Sequence, residues 1–416
     1  MISGYKYFII SFLVVILLSF SNNEKEINPP IDHVFDTAAI QYKGMLESSK
    51  NLAFYPRTTD IDGKLKFVPI SDWTGGFWPG SLWYMYEYTQ DSFWKKSAMK
   101  WTKSLEKNQF NNTHHDLGFM MYNSYGNAFK LTNDSTLIPV LIQSAKSLIS
   151  RYSPKVESIK SWKERTSPDG KQTWKFPVII DNMMNLELLF FASKQTKNPI
   201  YRNIAIKHSE TAMRNHVRPD YSSYHMVNYD ENTGRVLDRK TVQGFSDNSL
   251  WARGQAWAVY GFTTVYRETK DQRFLVTAQK MANFYLNSPN LPEDKIPYWD
   301  FNVGQAGYKP EWNFDVLKYQ PVPRDASAAA IMASALLELS TYSDAKLKTK
   351  YVTEAAGMLV SLSSDNYLAN PGTNNHFLLK HSVGNMQKDS EVNVPLIYAD
   401  YYFLEAMLRY NKITKF

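Results

Sequence analysis

Apolar positions recur with a period near 3.6 residues in about twelve stretches of the chain, and few stretches alternate apolar with polar residues as a half-buried strand does. The periodicity predicts helices over 33–49, 77–90, 92–108, 117–131, 135–151, 181–195, 198–216, 251–268, 271–287, 325–341, 345–362 and 395–411. Twelve helices with no convincing sheet predict an all-α fold of six helical hairpins closed into a double ring. An open solenoid is the rival, but solenoids repeat at a fixed period and the motif intervals here are uneven.

The unusual residues are not spread evenly over these helices. They precede or open every second one, at Trp73–Gly80, His114–Phe119, Phe176–Asn185, Gln243–Trp257, Arg324–Ala330 and Tyr398–Glu405. If alternate helices form an inner ring, all six segments converge on one end of it. The intervening helices have ordinary amphipathic patterns, as in 271–286 with Phe274, Leu275, Ala278 and Met281. The competing reading is that aromatic-rich helix starts only pack the core.

Residues 1–21 read as a signal peptide, with Lys6 before the apolar run Tyr7–Leu18 and the small residues Ser19 and Ser21 around Phe20. The expected location is therefore the periplasm, and the rival is an uncleaved membrane anchor. Residues 22–32 read as a polar linker, and 33–416 as a single domain without a second linker.

With no cysteine in 416 residues, disulfides, thiolate metal sites and a lipidated cleavage site are excluded. The charge of +7, from 47 basic and 40 acidic side chains, is spread without a long basic run. It argues for an anionic ligand that is small or oligomeric rather than nucleic acid. Eleven Trp, 27 Tyr and 23 Phe exceed what a helical core needs and suit flat, partly apolar ligands such as sugars.

No metalloprotease, nucleotide-cradling, dinucleotide or serine-elbow motif is present, so carboxylates carry the candidate chemistry. Asp181 follows the apolar run Pro177–Ile180 and precedes Asn182, Met183 and Met184, surroundings that desolvate a carboxyl and raise its pKa. A carboxyl partly protonated near neutrality can act as general acid. Asp116 stands beside His115, and Gly118 lets backbone approach a ligand. Either aspartate could instead be a helix N-cap. Together in one pocket, they would drive each other's pKa values apart.

On a helix from about Trp251, Arg253 and Trp257 share a face, offering a forked donor for a carboxylate and a plate for a sugar ring. The alternative is an internal Arg salt bridge beside a packed Trp. Trp73 and Phe77 repeat the four-residue spacing, with core packing as their alternative reading.

Seven segments in order, between Trp73 and Arg409, resemble glycoside hydrolase family 88, the unsaturated glucuronyl hydrolases. They are residues 73–80 (Trp-Thr-Gly-Gly-Phe-Trp-Pro-Gly), 115–119 (His-Asp-Leu-Gly-Phe), 180–186 (Ile-Asp-Asn-Met-Met-Asn-Leu), 251–257 (Trp-Ala-Arg-Gly-Gln-Ala-Trp), 297–301, 324–330 and 398–406. The resemblance implies an (α/α)6 barrel, and hydrolysis of the unsaturated uronic acid that a lyase leaves at the non-reducing end of glycosaminoglycan oligosaccharides of heparin, heparan, chondroitin or hyaluronan type. It implies Asp181 as catalytic acid and base and Asp116 as second essential carboxylate. Sugar contacts would come from His115, His225, Gln243, Arg253 and Trp257, and aromatic contacts from Trp73, Phe77 and Phe119.

Neither metal nor cofactor is implied, and the partner is an unsaturated disaccharide or oligosaccharide. The 363–385 loop, with Lys380, His381 and Ser382, departs from the family pattern and is a candidate for sulfate recognition. The related unsaturated rhamnogalacturonyl hydrolases are the near alternative. A toroidal polysaccharide lyase, with Tyr122, Tyr125 or His225 abstracting a proton, and a binding solenoid are the others.

Overall fold

Among the described residues, twelve α-helices follow one another in the predicted order: α1 Ile31–Ser48, α2 Phe77–Thr89, α3 Ser92–Ser104, α4 Asn127–Thr132, α5 Ile138–Ile149, α6 Leu186–Thr196, α7 Pro199–Asn215, α8 Ala252–Thr269, α9 Gln272–Leu286, α10 Ala326–Ser340, α11 Ala345–Leu362 and α12 Ile397–Thr414. The computed structural model describes residues 1, 28–60, 62–167, 170–310 and 315–415. The signal-peptide segment, apart from its first residue, lies outside them. So does most of the expected linker; its last two residues, Ile31 and Asp32, already belong to α1.

The even-numbered helices form the inner ring. The segment before α4 lies between α2 and α6, then α8, α10 and α12 follow, and α12 packs back on α2 to close the circle. Closure rules out the open solenoid. Inner helices are buried almost all round, as α10 is from Ala326 to Leu337, whereas outer helices bury one stripe. One hydrophobic cluster runs from Val34 to Tyr410.

Four inner helices end by the same device. Gln90, Asn133, Lys197 and Lys270 each take a left-handed conformation at the C-terminus of α2, α4, α6 and α8. The next residue is Asp91, Asp134, Asn198 or Asp271, whose side chain accepts a backbone N–H of the following turn. A left-handed residue and a capping carboxylate or amide thus reverse the chain in two positions. The connections at the other end, from outer to inner helices, are long and carry the functional groups.

Those connections also hold strands that the periodicity did not predict: β1 Phe54–Thr59, β2 Leu65–Pro69, β3 Tyr152–Ser153, β4 Ser158–Ile159, β5 Arg165–Thr166, β6 Thr173–Trp174, β7 Pro177–Ile179, β8 Met226–Tyr229, β9 Val236–Lys240, β10 Ser382–Asn385 and β11 Ser390–Val394. They pair antiparallel as four two-stranded sheets and the three-stranded β7-β8-β9. None exceeds six residues, too short for alternation to register as a pattern. Two predicted helices also start differently. The 117–131 stretch opens as a π-helical segment, Gly118–Gly126, and 181–195 as a 3-10 turn, Ile180–Asn185.

Candidate active site

The helix starts of the inner ring and the strands above them enclose a cavity of about 270 Å³. Asp116, Asp181, His115, Gln243, Arg253, Trp73 and Phe119 line it. Seven of the ten candidate residues therefore share one cavity wall. His225, Phe77 and Trp257 stand behind that wall.

Asp181 is the second residue of its 3-10 turn, whose N-cap is Ile179, so it is not a capping aspartate. Strand β7 delivers it, pinned by Ile180 N–H to the His225 carbonyl at 2.9 Å and by β7-β8 pairing. Its Oδ2 is buried without a hydrogen-bond partner. Burial pushes the carboxyl up to about 7, against the pull of Arg253, with Asp116 adding to the rise. The desolvating run Pro177–Ile180 predicted that direction.

Asp116 goes the other way. Burial raises it too, but His115, His114 and Arg151 outweigh that and hold it below the usual carboxylate range. His114 Nδ1 lies 3.0 Å from Oδ2, and His115 Nε2 lies 3.2 Å from Oδ1. The two carboxyls are thus differentiated, one poised to carry a proton and one held as an anion. Burial keeps His115 neutral, its pKa lowered to about 4.

Gly118 has a different role from the one expected. A Cβ there would stand 2.4 Å from Asn185 Cα, so the close approach is to the next inner segment, not to a ligand. Asn185 Oδ1 accepts the Phe119 N–H at 3.0 Å across that contact. Gly76 serves the same purpose one step round the ring, against the carbonyls of Phe119 and Met120.

Arg253 is 2% exposed, and its fork is largely committed. It donates to Asp325 Oδ2 at 2.9 Å, to the Val383 carbonyl and to the Gly384 carbonyl at 2.8 Å. Gln243 Nε2 donates to the same Gly384 carbonyl at 2.9 Å. Both predicted sugar contacts thus brace the β10 strand while edging the cavity. Arg253 sits over Trp251 at 4.6 Å and Tyr398 at 5.4 Å rather than beside Trp257. Trp257, expected as a sugar plate, is 1% exposed and packs on Phe119 and Tyr402 at 5.1 and 5.2 Å. Phe77 is fully buried among Trp73, Phe119 and Tyr398. These two rings form an aromatic layer beneath the cavity; Trp73 and Phe119 form its surface.

The motif aspartates outside the pair are structural. Asp300 accepts from Phe245 N–H and the Ser249 hydroxyl, Asp325 caps α10, and Asp400 takes the N–H groups of Leu378 and Leu379.

Several wall residues escaped sequence reasoning. Arg57, from β1, donates to Asp72 at 2.8 and 3.0 Å and to Glu391, from β11, at 2.5 and 2.9 Å. Trp162 and Arg165 enter from the connection before α6, the guanidinium 4.4 Å from the indole centroid. Lys388 enters from the turn between β10 and β11. Among the described residues neither Arg165 nor Lys388 has a carboxylate partner, and both are shifted down by burial, Lys388 also by Arg165 and Arg57. Of the 363–385 loop expected to recognise sulfate, Gly384 and Asn385 line the cavity, whereas Lys380, His381 and Ser382 do not. Lys380 Nζ donates to the Asp365 carbonyl, His381 meets Asn393, and the Ser382 hydroxyl accepts from Ser327 N–H. Only sequence position, next to Gly384 and Asn385 of the wall, pointed toward Lys388.

Tyr122 and Tyr125, the bases a lyase would use, are buried outside the cavity wall, and burial pushes Tyr122 up to about 12.

Residues 52–296 match the family model for Glycosyl Hydrolase Family 88. A Formosa agariphila protein described as unsaturated glucuronyl hydrolase is 44% identical over 357 residues, 85% of this chain and 84% of its own. An unsaturated chondroitin disaccharide hydrolase of Streptococcus agalactiae is 35% identical over 366 residues, 86% of each chain. Among solved structures, an unsaturated glucuronyl hydrolase specific for heparin superimposes with TM-score 0.85 at 44% identity, covering 93% of this chain and 98% of that one.

Proposed function

The chain belongs to glycosyl hydrolase family 88, and from that premise we propose that it hydrates the C4=C5 bond of an unsaturated uronic acid at the non-reducing end of lyase-generated glycosaminoglycan oligosaccharides. The observation that carries this reading is the pair of oppositely shifted carboxyls, Asp181 and Asp116, in one cavity.

The substrate double bond is an enol ether, so protonation at C4 places positive charge on C5 and the ring oxygen. Asp181, poised near 7, gives that proton. The carboxylate it leaves behind takes a proton from water as the water oxygen bonds to C5. The resulting hemiketal opens, and the hemiacetal left at C1 expels the remaining sugar as an alcohol. No attack on the anomeric carbon is needed, so carboxylate separation does not report stereochemistry here. Asp116, held ionised, accepts a sugar hydroxyl and stabilises the developing positive charge.

The cavity is small enough for the terminal ring, with Trp73 and Phe119 as apolar faces. Arg165 and Lys388 are cations in its wall without carboxylate partners among the described residues, suited to the uronate or to a sulfate. His115, His225, Gln243 and Arg253 orient the carboxyls and the Gly384 strand around the sugar. Residues 1–21 serve export to the periplasm in this reading; the mass of the secreted protein tests it.

The direct test follows the ultraviolet absorbance of the enoate over time with sulfated and unsulfated unsaturated disaccharides. A falling signal supports the hydrolase and ranks its substrates. A rise with intact polysaccharide overturns it in favour of a lyase, and turnover confined to rhamnogalacturonan-derived substrates overturns it in favour of the sister activity.

A further inference from the structure

A second cleft, of about 500 Å³, opens between the end of α7, the turn after it and β9. Arg214, Arg218, Arg239, Tyr221 and Tyr224 are in its lining, which includes no carboxylate. Two guanidiniums lie over the Tyr224 ring, Arg218 at 4.1 Å and Arg239 at 5.4 Å. Arg218 is fixed from behind. It donates to the Ser222 hydroxyl at 3.0 Å and to the carbonyls of Asp247 and Ser249 at 3.1 Å, while its Nε is buried without a partner. Arg239 lines the cleft and uses Nε on the Asn215 carbonyl at 3.1 Å, its two terminal nitrogens having no hydrogen bond among the described residues.

The neighbouring carboxylates offset part of this set, Asp220 and Asp300 acting on Arg218, but none of them lines the cleft. Arg214 bonds Glu157 at 3.2 Å, outside the lining. Asp220 directs Oδ1 to the N–H and hydroxyl of Ser222 at 2.9 and 2.7 Å. Lys280 adds a further cation beside the wall, its Nζ 2.8 Å from the Tyr221 hydroxyl. Guanidiniums gathered round aromatic rings, with donors still free, match a planar or tetrahedral oxyanion carried on a ring with an apolar face.

We propose that this cleft is a second saccharide site, taking a sulfate or carboxylate of a glycosaminoglycan segment between Arg218, Arg239 and Arg214, with the sugar face against Tyr221 and Tyr224. The choice of a saccharide among oxyanions rests on the proposed function. The two sites stand back to back: Tyr224 belongs to the cleft, and the adjacent His225 stands behind Asp181. They have no lining residue in common.

The test titrates the full chain calorimetrically with a saturated sulfated tetrasaccharide, which offers no C4=C5 bond, and separately with inorganic sulfate. Arg214 and Arg239 are exposed, so the double variant Arg214→Ala/Arg239→Ala removes charge without emptying the core. The expected result is at least a tenfold weaker tetrasaccharide affinity with unchanged turnover of the unsaturated disaccharide. Unchanged affinity overturns the proposal, as does binding lost only in Arg165→Ala, which places the ligand in the catalytic cavity. Inorganic sulfate binding as tightly as the tetrasaccharide overturns the saccharide assignment. Cleft-dependent binding in a protein that turns over no unsaturated disaccharide keeps the anion site and overturns the hydrolase instead.

Discussion

His225 Nε2 lies 3.8 Å from Asp181 Oδ2, too far for a hydrogen bond and with no other partner for either atom. The Val242 N–H donates to His225 Nδ1 at 3.1 Å, so the neutral ring carries its proton on Nε2, toward Asp181. Burial keeps that ring neutral by lowering its pKa. The acid that starts the reaction is the protonated carboxyl, held up to about 7 by burial. Accordingly kcat/KM is expected to be level on the acid side of neutrality and to fall about tenfold per unit above pH 7. A pH-rate profile checks this. Asp181→Asn is expected to lower turnover by about 10²- to 10⁴-fold with substrate affinity retained; near-normal turnover removes Asp181 from the mechanism.

Asp116 raises the Asp181 pKa by its charge. Asp116→Asn therefore shifts the alkaline limb of the profile to lower pH, besides reducing rate through the lost anion. A limb that moves upward, or a variant with full activity, contradicts the role assigned to Asp116.

Trp73 and Trp257 separate contact from support. Trp73 is partly exposed on the cavity wall, whereas Trp257 is buried beneath Phe119. Trp73→Ala is expected to raise KM with little loss of stability. Trp257→Ala is expected to cost about 3–5 kcal/mol in denaturant unfolding. The reverse pattern would return Trp257 to the sugar-binding surface.

The ring of alternating helices was legible because inner helices are apolar nearly all round and open with chemistry-bearing segments, while outer helices carry one stripe. The carboxyl pair was legible for the same reason. Arg57 and Glu391 were not, since 334 positions separate them and each sits in a short strand without periodicity. Gly118 and Trp257 were misread because a sequence shows that a backbone can approach or a ring can stack, but not what lies opposite. Arg253 lines the cavity, and its fork meets Asp325, the internal salt bridge held as the alternative, together with two carbonyls of a strand 130 residues on.

Arg57 ties the first hairpin to the last. Glu391 is 4% exposed at its side chain, with both oxygens on Arg57, and its hairpin supplies Gly384, Asn385 and Lys388 to the cavity. Arg57→Met strands that carboxylate, a change that costs about 3–5 kcal/mol when the lost partner was fully buried and less at this partly open pair. Amide exchange across residues 382–394 is expected to accelerate, with KM raised more than kcat is lowered. Protection equal to that of the unaltered chain would show that β10-β11 holds without the clasp.

Stability should depend on pH in a way set by groups under the site. Burial holds His115, His208 and His216 at about 4, 3 and 4, below the ordinary value of about 6.5. Each binds a proton more readily in the unfolded chain, so each favours the fold above pH ~6.5 and loses that contribution as pH falls toward its folded value. Asp181 and Asp400, raised by burial to about 7 and about 8, act in the opposite sense. They favour the fold at acid pH and lose that contribution as pH rises through those values. Below pH ~6.5 these three histidines and His225, lowered further by burial, outnumber Asp181, Asp400 and Asp300, which burial also raises, so stability rises with pH there. Above it the histidines no longer titrate, and stability falls toward pH 8 as the carboxyls ionise. The melting temperature should therefore peak between pH 6 and 7, and His208→Gln, a residue outside the cavity lining, should flatten the acid side without moving the kcat/KM limb set by Asp181.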